Sequence, residues 1–200
     1  MGMTAEIISA SVLLLLITAF LIRSAYERRH PVLTEYTVSL KNLPRSFSGV
    51  RIVYLTDLHG KNPGKLQERS VSLLKSSQAD YVLMGGDMLT VHRGHSFQPE
   101  PVLELIKASP AAFPVIYADG NHETRMEEKR DEYPGWAEEF DRLLKEAGVI
   151  RLKNGRVILE RDGEKIAVAS AELPRSTYLK KWSKMPLPEG VLEKALGKKQ

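Results

Sequence analysis

The strongest constraint on this chain is a recurrence of short apolar runs, each closing on polar, ligand-type side chains. "VRIVYLT" (50–56), "YVLMGG" (81–86) and "PVIYADG" (114–120) are almost continuously apolar. Runs of that length without alternation are expected of strands covered on both faces, as in a parallel sheet. Helix-patterned segments separate or follow them. "KLQERSVSLLKSS" (65–77) carries Leu66, Val71, Leu73 and Leu74 at roughly helical spacing, and "PVLELIKAS" (101–109) and "GWAEEFDRLLKEAG" (135–148) follow the later strands. The last of these ends on Gly148, a favoured C-cap residue. The order β-α-β-α-β-α argues for a layered α/β domain.

The pattern changes on both sides of this block. From Val149 onward, "RVILE" and "KIAVASA" flank "RDGE", whose Asp-Gly pair signals a hairpin and therefore a second or mixed sheet. Upstream, "TEYTVSL" (34–40) alternates like an edge strand, and "NLPRSFSG" is a turn-rich connection. Near the C-terminus "GVLEKALG" is helix-like.

The N-terminus is of another kind. "IISASVLLLLITAFLI", from Ile7 to Ile22, is uncharged and almost wholly apolar. With Thr4 and Ala5 it approaches the ~20 residues that a bilayer-spanning helix needs. Glu6 stands where a signal peptide would carry a basic region, and Arg23 and Tyr26 stand where a small-residue cleavage site would follow. The expectation is a single-pass membrane anchor with its juxtamembrane segment over 1–30. Arg23, Arg28 and Arg29 after the apolar run favour a cytoplasmic globular domain by the positive-inside rule.

Composition narrows the chemistry. The chain is 42% hydrophobic and 27% charged, as a folded protein is. It has no cysteine, so disulfides and thiolate metal sites are excluded. A metal would have to be held by His, Asp, Asn or Glu, which suits Mn, Fe, Zn or Mg. The net charge of +4 is modest, with much of the basic excess near the apolar N-terminus and in the "LGKKQ" tail. No nucleic-acid groove is expected.

Each apolar run delivers such ligands at its C-terminal end. Asp57 and His59 lie two apart in "TDLHG", and in an extended strand end they would point to one side. Asp87 follows Gly85 and Gly86, and Asn121 and His122 follow Gly120. Any one of these blocks taken alone reads as an ordinary cap or turn. In open α/β sheets, however, the strand C-termini form the rim where sites assemble. Three strands that put Asp, His, Asp and Asn on that rim point to a metal centre.

In that order, "DLH … GGDM … GNHE" resembles the first three signature blocks of the calcineurin-like metallophosphoesterases. The anchor and the following "YERRHPVLTEYTVSLKNLP" are similar to a bacterial, membrane-anchored branch of that family. The resemblance implies an α/β/β/α fold, a layered β-sandwich flanked by helices. It also implies hydrolysis of a phosphate ester, of a substrate class left open, by a water that two divalent metal ions (Mn, Fe or Zn) activate. Carried residue by residue, Asp57 and His59 would bind the first ion, Asp87 would bridge both, and Asn121 would bind the second. His122 would stabilise or protonate the leaving-group oxygen. Glu123 either orients neighbouring groups or stands as a solvent-exposed carboxylate. His92 and His95 lie on the same rim without an assigned role, and His30 belongs to the juxtamembrane stretch.

The pattern also breaks. The family carries a lone His and a G-H-x-H block in its C-terminal half, and this sequence has no histidine after His122. The expectation is therefore an N-terminal part of the domain over 31–200, incomplete at its C-terminus, with at most one ion weakly held. A catalytically inactive, membrane-anchored binding or scaffold protein that keeps the same core is the alternative. A nucleotide-binding domain fits poorly, because neither G-x-G-x-x-G nor G-x-x-x-x-G-K-[ST] occurs.

Overall fold

The computed structural model describes residues 2–60, 64–110 and 113–173, together with Gly190, Val191 and Glu193. Four strands, β1 (Ile52–Leu55), β2 (Tyr81–Met84), β3 (Ile116–Ala118) and β4 (Ile150–Leu152), form a parallel sheet in the order β1-β2-β3-β4. Helices α2 (Lys65–Ser76), α3 (Glu100–Lys107), α4 (Asn121–Glu128) and α5 (Trp136–Glu146) lie in the connections. When consecutive parallel strands are neighbours, right-handed crossovers put every connecting helix on one face of the sheet. The opposite face is then free for another layer. Here that layer includes the hairpin β5 (Arg156–Arg161) and β6 (Glu164–Ala169).

Side-chain alternation along the strands feeds the two sides. Val82 and Met84 of β2 join the helix-side cluster, with Leu74, Val102, Leu105, Tyr117, Phe140 and Leu144. Tyr81 and Leu83 face the other side, with Phe47, Ile116, Leu152 and Leu159. The result is a mixed α/β fold in which a sheet is sandwiched between helices and a hairpin, as the layered reading expects. α5 shows how the helices are held. Ala137, Phe140 and Leu144 are buried along one stripe, and Arg142 bridges Glu139 and Glu146 on the wet face. Fully burying a side chain such as Phe140 stabilises by ~1.5–3 kcal/mol, several times what a surface ion pair contributes.

Four local expectations change. Residues 34–40 form no strand, because no strand among the described residues is paired with them. The segment has no regular structure, with Tyr36 84% and Val38 72% exposed. β1 is not covered on both faces: Val53 and Leu55 pack on the helix-side core, while Ile52 and Tyr54 are exposed. A helix, α4, starts directly at Asn121, a stretch to which the sequence assigned no helix, and β4 joins the parallel sheet ahead of the hairpin. The helix expected over "GVLEKALG" falls largely outside the described residues.

α1 (Gly2–Glu27) stands apart. Within Glu6–Glu27 an 18-residue window has a mean hydropathy of 2.2 and none of that window is buried, so the helix is long and apolar enough to cross a membrane. A membrane anchor and a signal sequence both meet that description.

Candidate active site

The pairing of β1 with β2 does not stop where the strands end. Gly85 donates its N–H to Leu55 O (2.7 Å), Asp57 to Gly86 O (3.1 Å), His59 to Asp87 O (2.9 Å) and Gly60 to Met88 O (2.8 Å). The two rim loops are thus stitched side by side. Asp57, His59 and Asp87 each take a left-handed backbone, with φ of 57°, 53° and 51°. Such residues cost of order 1–3 kcal/mol each and persist where the surroundings dictate them, characteristically at functional sites. Asp57 and His59 therefore converge by backbone reversal, and the expected same-side geometry of an extended strand end does not apply.

They do converge. Ligand atoms of Asp57, His59 and Asp87 all lie within 4.8 Å of one another, and His59 Nε2 is 3.7 Å from Asp57 Oδ1. Ligand atoms about a divalent ion at ~2.0–2.2 Å lie ~3–4.4 Å apart. Two carboxylates and an imidazole at these separations fit such an ion after small side-chain adjustments, and the O/N donor set suits Mn, Fe or Zn.

The third loop is pressed against the second. A Cβ on Gly86 would lie 2.2 Å from Gly120 N, and a Cβ on Gly120 would lie 2.4 Å from Asp87 N. Only glycine at both positions allows this approach. α4 then starts with its N-terminus aimed at Asp87. Asn121 Nδ2 donates to Asp87 Oδ2 (2.5 Å) and His122 N to Asp87 Oδ1 (2.9 Å). Both carboxylate oxygens of Asp87 are held, in the direction the helix dipole favours. The Asn121 carbonyl oxygen is the atom this residue could offer a metal.

His122 is buried beneath the rim. Val91 N–H donates to its Nδ1 (2.8 Å), so the neutral ring carries its proton on Nε2. Burial lowers its pKa from the ordinary imidazole value. Arg125, His59 and His92 add to the shift and Asp87 opposes it. The rings of His59 and His92 both pack edge-on to His122, with centroids 4.9 Å away. Arg125 donates to Val91 O (2.6 Å) and approaches His92 Nδ1 (3.3 Å). His95 lines a pocket of about 350 Å³ with His59, Gly60, Thr90, Ser96 and Gln98, beside the ligand cluster. A larger groove of about 440 Å³, between α2 and α3, is lined by none of these residues.

Of the two readings of Glu123, the structure carries the one in which it orients neighbouring groups, for its exposure is 0%. Its Oε2 accepts from Asp87 N (2.9 Å) and Gly120 N (3.0 Å), and its Oε1 from Met88 N (3.0 Å), Leu89 N (3.3 Å) and Tyr117 Oη (2.7 Å). The reading of a solvent-exposed carboxylate is wrong. Its position was a usable signal, since an acid three residues after a helix N-cap reaches back to the cap N–H. Behind the rim, Arg151 of β4 grips Asp119 at the end of β3 through two hydrogen bonds (2.8 and 2.6 Å), both groups being buried.

Residues 50–193 match the family model described as calcineurin-like phosphoesterase. A search of curated proteins finds no match to the chain.

Proposed function

The chain belongs to the calcineurin-like phosphoesterase family, and from that premise we propose that it is a membrane-anchored, metal-dependent hydrolase of phosphate esters. The observation that carries this reading is the convergence of Asp57, His59 and Asp87 at the rim, with His122 buried beside them. Asp57, His59 and Asp87 would hold one divalent ion, and Asp87 with Asn121 would hold a second. Such ions supply charge stabilisation to the phosphoryl oxygens and a water acid enough to attack phosphorus at neutral pH.

The protein's own groups do the rest. Asn121 and His122 N–H fix the Asp87 carboxylate. Val91 fixes the His122 tautomer, so that Nε2–H is the donor offered outward. As the bond from the water to phosphorus forms and the bond to the leaving oxygen breaks, that N–H can donate a hydrogen bond to the negative charge growing on the leaving oxygen, which takes its proton from solvent. The 350 Å³ pocket beside His59 gives the substrate a polar wall of Thr90, Ser96, Gln98 and His95. α1 would tether the domain, taken over 31–200, to the membrane. Arg23, Arg28 and Arg29 favour the cytoplasmic side.

Stripping the protein of metal and assaying aryl phosphate mono- and diesters with and without Mn²⁺ tests the proposal. Hydrolysis that requires Mn²⁺ and is slowed by His122→Ala is expected. A second reading, a binding protein that keeps the core without turnover, rests on a specific observation. Among the described residues the grouped ligands are Asp57, His59 and Asp87, which is one ion's set, and the family reading adds only Asn121 for a second ion. Mn²⁺ binding without hydrolysis of any ester would select it.

A further inference from the structure

We propose that Glu123 is a positioning residue that builds the metal site from behind, by a carboxyl group locked into the backbone of the loops carrying Asp87 and Asn121. The inference rests on the metal-site reading above and adds a residue that touches neither metal nor substrate. Five donors converge on the two oxygens of Glu123: four backbone N–H groups and the Tyr117 hydroxyl. The four backbone N–H groups can only donate, so both oxygens of Glu123 serve them as acceptors.

Three of the donors are successive. The N–H groups of Asp87, Met88 and Leu89 point inward together, as in the backbone concavities that bind anions. Here the occupant is internal, the Glu123 carboxyl group. Its presence fixes the left-handed turn at Asp87 (φ 51°) that presents the Asp87 side chain to Asp57 and His59. The fourth N–H, that of Gly120, belongs to the other loop, so the same carboxyl group ties the residue before Asn121 to the backbone of Asp87. Capping α4 explains the Gly120 contact and leaves the three on residues 87–89 unexplained. A positioning role explains all four.

The alternative, that Glu123 only stabilises the fold, makes a different forecast for metal affinity. Mn²⁺ is titrated by calorimetry into the full chain in detergent and into Glu123→Gln, Glu123→Asp and Tyr117→Phe, each at a temperature where near-UV circular dichroism shows it folded. Tyr117→Phe removes the one donor that belongs to neither loop. It should lower the melting temperature while keeping Kd within about twofold. Glu123→Gln should raise Kd at least tenfold, with Glu123→Asp intermediate. Should Glu123→Gln not fold, amide exchange of the unsubstituted chain decides: the N–H groups of residues 87, 88, 89 and 120 should slow together on adding Zn²⁺. Equal Kd values for Glu123→Gln and the unsubstituted protein, or exchange at those amides that ignores bound metal, would overturn the proposal. Absence of any Mn²⁺ binding by the unsubstituted chain would overturn it and the metal-site reading together.

Discussion

Gly120→Ala isolates the contact between the second and third rim loops. The Gly120 backbone, at φ −99° and ψ −171°, is extended and open to any residue, so the substitution brings no conformational strain. The cost is contact. The new Cβ would lie 2.4 Å from both Asp87 N and Asp87 Oδ1, where ordinary contact begins at 3.4 Å. The loops must part by about 1 Å, more than a hydrogen bond tolerates. That movement breaks the Asn121 Nδ2–Asp87 Oδ2 bond (2.5 Å) or the Glu123 bridge between Gly120 N and Asp87 N. Overpacking of this kind costs ~1–3 kcal/mol, which for a domain of this size lowers the melting temperature by ~2–12 °C. Mn²⁺ affinity should fall at least tenfold, a loss of about 1.4 kcal/mol in binding. Calorimetric titration on protein shown to be folded measures it, with Gly155→Ala as the control, because its Cβ meets nothing closer than 3.6 Å. A folded Gly120→Ala protein that binds Mn²⁺ with unchanged affinity would refute the role given to this contact.

Other expectations follow from single contacts. Asp87→Ala should abolish metal binding and turnover together, whereas His122→Ala should leave metal binding intact and chiefly slow turnover; equal metal loss in both would remove the division of roles. Arg151→Met strands the Asp119 carboxylate in a buried site, at a cost of ~3–5 kcal/mol read from denaturant unfolding. Burial already raises the Asp119 pKa against the opposing effect of Arg151, so the variant should raise it further. The folded state then keeps a proton that the unfolded chain releases. Stability of the variant should be greatest below the ordinary carboxylate pKa and fall as pH rises through the raised folded value; a flat profile across that window would contradict this. The full chain should fractionate with membranes and resist carbonate extraction, and deletion of residues 1–29 should release the domain; recovery of the full chain in the soluble fraction without detergent would refute the anchor.

The βα order was legible because β1, β2 and β3 are short runs of apolar residues, whose pattern survives without knowledge of their partners. β4 was not, because Arg151 stands between Ile150 and Leu152 and breaks the run. Its pairing with Asp119, distant in sequence, and with Glu127 and Asp141 lets a guanidinium enter the sheet. α4 was hidden for a similar reason. "NHETRMEE" has little apolar pattern, and two of its three buried residues, His122 and Glu123, are polar groups satisfied by residues from other loops. The converse holds for residues 34–40, where alternation is present and, among the described residues, the pairing that would make a strand is not. At the site, residue types after the apolar runs were enough to single out Asp57, His59, Asp87, Asn121 and His122. Their left-handed turns and the buried carboxyl group behind them depend on contacts between loops, which spacing along one chain does not encode.

The most direct test of the metal centre is anomalous scattering at the manganese edge from crystals of the protein grown with Mn²⁺. The expected result is a peak within bonding distance of Asp57, His59 and Asp87, with any weaker second peak between Asp87 and Asn121. Strong peaks confined to other carboxylates, or no peak at the rim at Mn²⁺ concentrations that support hydrolysis, would contradict it.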